Sequence, residues 1–386
     1  MGTKGKKKNE SLVTVMGRPK RGSLSSFSAI VRQQIDYYRP LALRKSGWSA
    51  KTIAVELSFD ALLKGSLKPS MSSIDKYLAQ RGGSKRHSKH SDLPSSSLVK
   101  ALYAHQLWQL DAEGGKKVAH LDWVAFINIR DISDKIYVMS YPCHLKTANN
   151  HPKTCDYQAT LRLSFMEWGM PLHLQTDHES IFFDNKTKSP FPTKLHLWLI
   201  GLNIELHFTP SGKPQKQGSV EISHQTMHRQ IACGRCFETE KEIFDFTQQR
   251  RKRLNEDISS SVTHNLPPLV AHPDACFSGR HYELEQEEAI FDTVLVHNYL
   301  AKGQWFRRVA ANKTISIGGY LYHLTDAEPK CDLEIRFNRD LDGFDCFNAD
   351  GHLIQHLQSQ GLTFKEISGD LAQFQQWCRI NNIVKQ

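Results

Sequence analysis

Apolar positions along residues 27–46 (Phe27, Ile30, Val31, Ile35, Leu41) recur at helical spacing, and Pro40 divides the stretch. Ser49 stands where an N-cap would, ahead of the apolar face Ile53, Ala54 and Leu57. The segment 70–79 predicts a third helix with Ile74, Tyr77 and Leu78 inward. Between 105 and 255 the pattern alternates between strand and helix periods. Strands are predicted at 105–111, 117–129, 135–141, 172–177 and 204–209, with helices at 155–170, 193–202, from 219, and at 241–254. Residues 257–290 carry Pro267, Pro268 and Pro273 and no regular period. Short strands are then expected at 293–297, 304–309, 314–317, 320–323, 333–337 and 353–356, a spacing that suggests a small β-barrel, followed by a helix at 370–381. The chain is therefore expected to be multidomain. A basic arm (1–23) precedes an all-α head (24–81), a Gly/Ser-rich linker (82–100) and an α/β core (101–256). A connector (257–290), the barrel (291–360) and a helical tail (361–386) complete it.

Charge changes the picture. Of 386 residues, 50 are Lys or Arg and 40 Asp or Glu, giving a net charge of +10. The first 100 residues hold 20 basic and 6 acidic side chains, and the remaining 286 hold 30 and 34, so the surplus belongs to the first quarter. Such asymmetry favours a polyanion partner, because each cation docked on a phosphate releases counterions. Within the arm, Gly17-Arg18-Pro19-Lys20-Arg21-Gly22 resembles the Gly-Arg-Pro core of an AT-hook, which would make Arg18, Lys20 and Arg21 minor-groove contacts; the alternative is an ordinary basic linker. The paired helices after Trp48 look like a helix-turn-helix DNA-binding domain, and Ser70, Ser72, Ser73, Lys76 and Arg81 are then the candidate DNA-facing residues. No apolar run is long enough to span a bilayer, and Leu12 to Met16 is too short for a signal-peptide core. Eight sparse cysteines suit a reducing compartment, so a cytoplasmic location is expected.

Three carboxylates stand out by context. Asp111 and Asp177 end predicted strands, and Glu221 opens a predicted helix after a glycine-bearing loop; the intervals are 66 and 44 residues. Two strand-end aspartates can sit side by side on one sheet, and a packed helix can bring a glutamate to them. Hard oxygen ligands in that arrangement suit two Mg²⁺ or Mn²⁺ ions and phosphodiester transfer. Asp122 or Asp131 could replace Asp111, and Glu179 could replace Glu221; Glu205 is expected to face solvent.

The blocks HQLWQLD (105–111), LQTDHES (174–180), HFTPSGKPQKQGSVEISHQTM (207–227) and FDFTQQRRKRLNED (244–257) occur in that order. Together they resemble the DDE transposase and retroviral-type integrase superfamily, over roughly residues 100–290. The layout is similar to IS21-like and IS481-like bacterial insertion-sequence transposases, and less closely to Tn7-like and Mu-like ones. The resemblance implies an RNase H-like catalytic core, a mixed sheet with helices, at 101–256. It also implies Asp111, Asp177 and Glu221 as metal ligands, DNA 3′-end cleavage and strand transfer, and a homo-oligomer on paired transposon ends and target DNA; the sequence has no G-x4-G-K-S/T phosphate loop, so an ATP-dependent step would fall to a helper protein. Lys213 and Lys216, in the loop before Glu221, and Arg229 become candidate phosphate contacts. The sequence departs from the family pattern in Asp177-His178-Glu179, where a glycine is usual, and in Ile222, where a cation is usual. Its long second interval implies an insertion near 183–195.

Other constellations compete for a role. His224, His228, Cys233 and Cys236 are zinc-type ligands, or else a DNA-side helix with incidental cysteines. Arg250, Arg251, Lys252 and Arg253, and separately Trp305, Arg307 and Arg308, are candidates for DNA contact or plain surface. The expected activity is that of a DDE transposase of a bacterial mobile element. The alternatives are a transposon-derived DNA-binding regulator without catalysis and a metal-dependent nuclease that does not join.

Overall fold

The computed structural model describes residues 24, 27–39, 48–80, 101–118, 121–147, 149–177, 180–182, 184, 189–209, 218–231 and 237–383. These fall into two compact units, one within 1–93 and 226–236, the other within 94–225 and 237–386.

In the smaller unit, helices α1 (Ala29–Tyr38), α2 (Ala50–Phe59) and α3 (Met71–Gln80) surround one core. Each helix supplies an i,i+4 pair to it: Val31 and Ile35, Ile53 and Leu57, Ile74 and Leu78. Trp48, Leu63 and Tyr77 complete the packing. Ser49 caps α2 as expected, its side chain accepting from the Thr52 N–H at 3.3 Å. Two tyrosines pin the helices at their rims. Tyr77 Oη donates to Asp36 at 2.9 Å and Tyr38 Oη to Asp60 at 2.9 Å. Gln230 belongs to this unit and donates to Thr52 Oγ1 at 3.2 Å.

The larger unit is built on a five-stranded sheet of β1 (Leu107–Val118), β2 (Asp122–Asp131), β3 (Tyr137–Leu145), β4 (His173–Thr176) and β5 (Glu205–Phe208). Its order is β3-β2-β1-β4-β5, with β1 to β3 an antiparallel meander and β1, β4 and β5 parallel. Mixed pairing follows from the connections: tight turns join the first three strands, whereas helices α4 (Thr154–Trp168) and α5 (Lys194–Gly201) carry the crossovers. Trp108 and Leu110 point to an apolar face where Trp108 stacks on Phe165 of α4, and Phe165 on Trp198 of α5. The alternate residues of β1, Gln109 and Asp111, therefore face the other way.

β1 does not stop at Asp111. It continues to Val118 through an irregularity between Glu113 and Lys116, where Gly114 and Gly115 relax the ladder. α4 ends at Gly169, whose positive φ and a virtual Cβ only 2.3 Å from Ser278 Oγ leave room for glycine alone. The connector docks there, with the Ser278 N–H on the Trp168 carbonyl at 2.7 Å.

α6 (Gly218–Gln230) and α7 (Glu240–Glu256) follow β5. α7 runs along β3, an edge strand, and satisfies backbone groups at Tyr137 and Ser140. Asn255 accepts from the Tyr137 N–H at 2.9 Å and donates to the Tyr137 carbonyl at 3.0 Å, while Gln248 donates to the Ser140 carbonyl at 2.7 Å. Arg250 and Arg251 are buried, and Arg251 pairs with Glu167 at 2.7 Å. Arg253 and Lys252 pair along the helix with Asp257 and Glu256. The basic run thus packs the core and its rim rather than forming an open cationic strip.

A buried polar knot ties α4 to the connector. Arg162 makes two 2.7 Å bonds to Glu287, which also accepts from Trp198 Nε1 at 3.0 Å and from Tyr282 Oη; Arg162 reaches the Ser368 carbonyl at 2.8 Å. Both members of the ion pair are almost wholly buried.

One expectation for the last third is corrected. Residues 293–300 form a helix, α8 (Thr293–Leu300), because Asp292 caps the Val294 N–H at 2.8 Å and Val296 and Leu300 share one buried face. The later strands are β6 (Gln304–Arg308), β7 (Thr314–Ile317), β8 (Tyr320–His323), β9 (Asp332–Asn338), β10 (Gly343–Phe347) and β11 (Leu353–Gln358). They form an antiparallel sheet in the order β11-β10-β9-β6 and a separate β7-β8 ribbon, not one continuous ladder. The four-residue strands β7 and β8 pair only with each other. Trp305 and Arg307 are anchored inward, on the Pro190 carbonyl at 3.1 Å and on the Ser189 and Ser316 carbonyls at 2.8 Å. The terminal helix, α9 (Leu371–Ile380), lies where the apolar spacing puts it.

Candidate carboxylate site

β1 and β4 pair in parallel with Gln109 opposite Gln175, and the two side-chain amides meet at 3.4 Å. Asp111 and Asp177 each lie two residues beyond that pair. Asp177 follows the last residue of β4 directly, as the sequence predicts. Both aspartates are half-buried.

α6 is fixed over this polar face by two consecutive residues. Ser223 accepts from Arg130 Nη1 at 3.2 Å, and His224 lies between Asn128 and Asp111. Asn128 is the cross-strand partner of Asp111 on β2. In this amide orientation Asn128 Nδ2 donates to His224 Nδ1 at 2.7 Å, which puts the ring proton on Nε2. That nitrogen is 3.1 Å from Asp111 Oδ2. Asp111 Oδ1 accepts from the Ala112 N–H at 3.0 Å. Glu113, further along the same face, has a carboxylate oxygen 3.7 Å from His224 Nδ1.

Glu221 is exposed in the first turn of α6, three residues before His224 and so on its side of the helix. The helix that carries Glu221 is thus docked, through His224, on the strand that carries Asp111. An ionised carboxylate offers about four lone-pair directions. Asp111 has two of them engaged, which leaves acceptor capacity at a half-exposed position. Among the described residues the carboxylate oxygens of Asp111, Asp177 and Glu221 are not all gathered within 4.8 Å of one another; oxygen donors of this kind, drawn together, suit a hard divalent cation.

The competing acids separate by position. Asp131 is fully buried at the opposite end of β1, facing Trp108, and accepts from the His105 and Asp134 N–H groups at 2.9 and 2.7 Å. Burial pushes its carboxyl up to about 7. It is a turn-forming group, not a substitute for Asp111. Asp122 pairs with Val118 at the hairpin end. Glu205 is largely solvent-facing, as expected, and lies beside His173 and His207 at the start of β5. Glu179 falls outside the described residues.

Of the expected DNA contacts, Ser70, Ser72 and Lys76 are exposed at the start of α3. Ser70 Oγ accepts the Ser73 N–H at 3.3 Å and lies 3.1 and 3.0 Å from the hydroxyls of Ser72 and Ser73. The serine cluster therefore closes the helix start, and Asp75 and Lys76 are the exposed charged groups that follow it. Arg229 is exposed on α6. Arg18, Lys20, Arg21, Arg81, Lys213 and Lys216 lie outside the described residues. So do Cys233, Cys236 and the His228 side chain; His224 lies between Asn128 and Asp111. The roles of Asn128 and His224 were not foreseen. The signal was available in their order: a polar Asn inside an apolar strand, and a histidine one turn after Glu221.

No family model matches the chain, and no curated protein matches its sequence. Solved structures are similar to it. The BIV integrase catalytic core domain aligns at 14% identity with a TM-score of 0.31, covering 44% of this chain and 95% of that one. The HTLV-2 integrase catalytic core domain in complex with magnesium, in its trimeric form, aligns at 13% identity with a TM-score of 0.32, covering 45% and 99%. A chain of the simian T-cell lymphotropic virus intasome, in complex with the PP2A regulatory subunit B56 gamma, aligns at 11% identity with a TM-score of 0.36, covering 81% and 100%. Likeness of this degree leaves the chemistry to the chain's own residues.

Proposed function

We propose that the chain is a DDE-type DNA transposase of a bacterial mobile element, transferring DNA 3′ ends with Asp111, Asp177 and Glu221 as its metal ligands. The observation that carries this reading is the β1–β4 register, in which both aspartates stand two residues past Gln109 and Gln175. The docking of α6 beside Asp111 supports the third ligand. When bound, a Mg²⁺ or Mn²⁺ pair would supply activation of the attacking oxygen and charge stabilisation at the leaving one. The protein's own part is positional. β1 and β4 hold two carboxylates at fixed spacing, His224 orients Asp111 through its Nε2–H, and Asn128 sets the tautomer. Phosphoryl transfer asks little covalent chemistry of the protein, so no nucleophilic side chain is required.

The head, with Lys76 on its exposed face, would bind transposon ends, and Arg229 would contact phosphate. Two ends and a target call for a homo-oligomer on DNA, and an ATP-dependent helper would supply target choice. Among the described residues no helix is long and apolar enough to cross a membrane. The reading places the protein in the cytoplasm, on the nucleoid when DNA-bound.

The test is strand transfer in Mg²⁺ or Mn²⁺ on DNA carrying the element's terminal repeats, with Asp111→Asn, Asp177→Asn and Glu221→Gln beside wild type. Joined product from wild type alone is expected. Cleavage that survives the substitutions places the chemistry elsewhere. Cutting without joining makes the protein a nuclease, and binding without either, even with the neighbouring gene product, makes it a regulator.

A further inference from the structure

On the same sheet, at the starts of β4 and β5, three side chains converge that the transfer reaction does not use. β4 and β5 pair in parallel with His173 opposite Glu205 and Gln175 opposite His207. Residues two apart on a strand share a face, so His173, Glu205 and His207 project together. His173 Nδ1 is 3.1 Å from His207 Nε2 and 3.3 Å from Glu205 Oε2, and His207 Nε2 is 3.7 Å from the same oxygen. All three ligand atoms lie within 4.8 Å of one another.

Those separations have a simple reading. Tetrahedral zinc with bonds of about 2.0–2.1 Å places its ligand atoms about 3.4 Å apart. The three distances bracket that value. A neutral imidazole carries one N–H, so one tautomer places a single proton among these three atoms, and a cation bound in its place would engage all three lone pairs at once. Both histidine side chains are 21% exposed and Glu205 is 65% exposed, so an ion could enter from solvent and keep a fourth position for water. The backbone already fixes the spacing, because the ligands come from paired strands rather than from loops.

We propose that His173, Glu205 and His207 form a zinc site with three protein ligands and one open position, separate from the carboxylate site. Two nitrogens and one oxygen suit Zn²⁺ over Mg²⁺, whereas the aspartate site offers oxygen alone. Asp177 lies four residues further along β4 than His173, about 13 Å at strand rise, so the two ions would not share ligands. An ion here would clamp the edge strand β5 to β4 at its first residue.

Co²⁺ is the probe, since its visible d–d absorption reports tetrahedral coordination. The full chain, stripped with chelator and kept in excess Mg²⁺, is titrated with Co²⁺ and then displaced with Zn²⁺. One equivalent of intense tetrahedral bands is expected in wild type and equally in the Asp111→Asn/Asp177→Asn double variant. His207→Gln and Glu205→Ala should each retain at most about a tenth of the affinity. Glu205 is exposed, so its truncation leaves the fold intact; matching circular dichroism of the metal-free proteins checks this for His207→Gln. The proposal is overturned by absent saturable bands in wild type, by bands that persist in both ligand variants, or by bands lost in the aspartate variant. A thiolate charge-transfer band would overturn it too, by assigning the ion to Cys233 and Cys236.

Discussion

Glu287 and Asp111 are carboxylates of the same unit in opposite circumstances. Glu287 is sealed from solvent and receives Arg162 twice, Trp198 and Tyr282. Asp111 is half-exposed and receives one imidazole and one neighbouring N–H. A buried charge whose acceptors are saturated holds elements in place and has nothing left to offer a ligand. A carboxylate with open lone pairs at the end of a register-matched strand pair keeps that capacity. The contrast separates architecture from chemistry more sharply than residue type does.

Removing one partner from each place tests the contrast. Glu287→Ala strands the Arg162 guanidinium in the interior and should cost about 3–5 kcal/mol in chemical unfolding. A loss under about 1 kcal/mol would show that the knot is not structural. Asp111→Asn and Asp177→Asn should instead leave unfolding within about 1 kcal/mol of wild type while strand transfer falls by at least about 10²–10³-fold. If stability falls as far as activity, the aspartates belong with Glu287.

Protons divide the interior in another way. Burial pushes the His196 imidazole down to about 4 from 6.5. The unfolded chain therefore binds the proton first, and stability present above pH 6.5 is lost as pH falls toward 4, by up to about 3 kcal/mol. Asp131 works in the opposite sense. Its raised value, about 7, means the folded form takes up the proton first, so stability increases as pH falls from 7 toward 4. His196→Leu should make the fold more resistant to acid, and Asp131→Asn should make it less so. Thermal melts between pH 4 and 8 that leave both slopes unchanged would refute the assignment. The smallest effect is expected at His224→Ala, with about 1 kcal/mol of stability lost but an Mn²⁺ requirement about tenfold higher. An unchanged metal requirement would mean that His224 does not orient Asp111.

The sequence made the head helices legible because each has an i,i+4 apolar pair and the middle one a visible cap. The positions of Asp177 and Glu221 were legible for a related reason: strand ends and helix starts leave short local signals. What escaped depended on distant partners. Residues 293–300 are rich in β-branched and apolar side chains, and only the Asp292 cap and the shared burial of Val296 and Leu300 decide for helix. Arg251 reads as DNA contact or plain surface until Glu167 and the Tyr137 carbonyl give it a buried setting. Trp305 and Arg307 read as an exposed aromatic–cation pair until Ser189 and Pro190 claim them. His173 and His207 are 34 residues apart and meet only because β4 and β5 are neighbours. Hydrophobic periodicity reports which face a residue occupies, but not which strand will lie beside it.

The amide of Asn255 has a consequence for how copies of this chain can associate. Its oxygen and nitrogen take the two outward hydrogen bonds of Tyr137 that an added strand would otherwise make. Gln248 takes another at Ser140. Between Tyr137 and Ser140 the β3 margin is thereby closed to sheet extension. A segment offered by a second molecule finds its backbone partners there already engaged, so self-association through this margin must use side chains rather than a shared ladder.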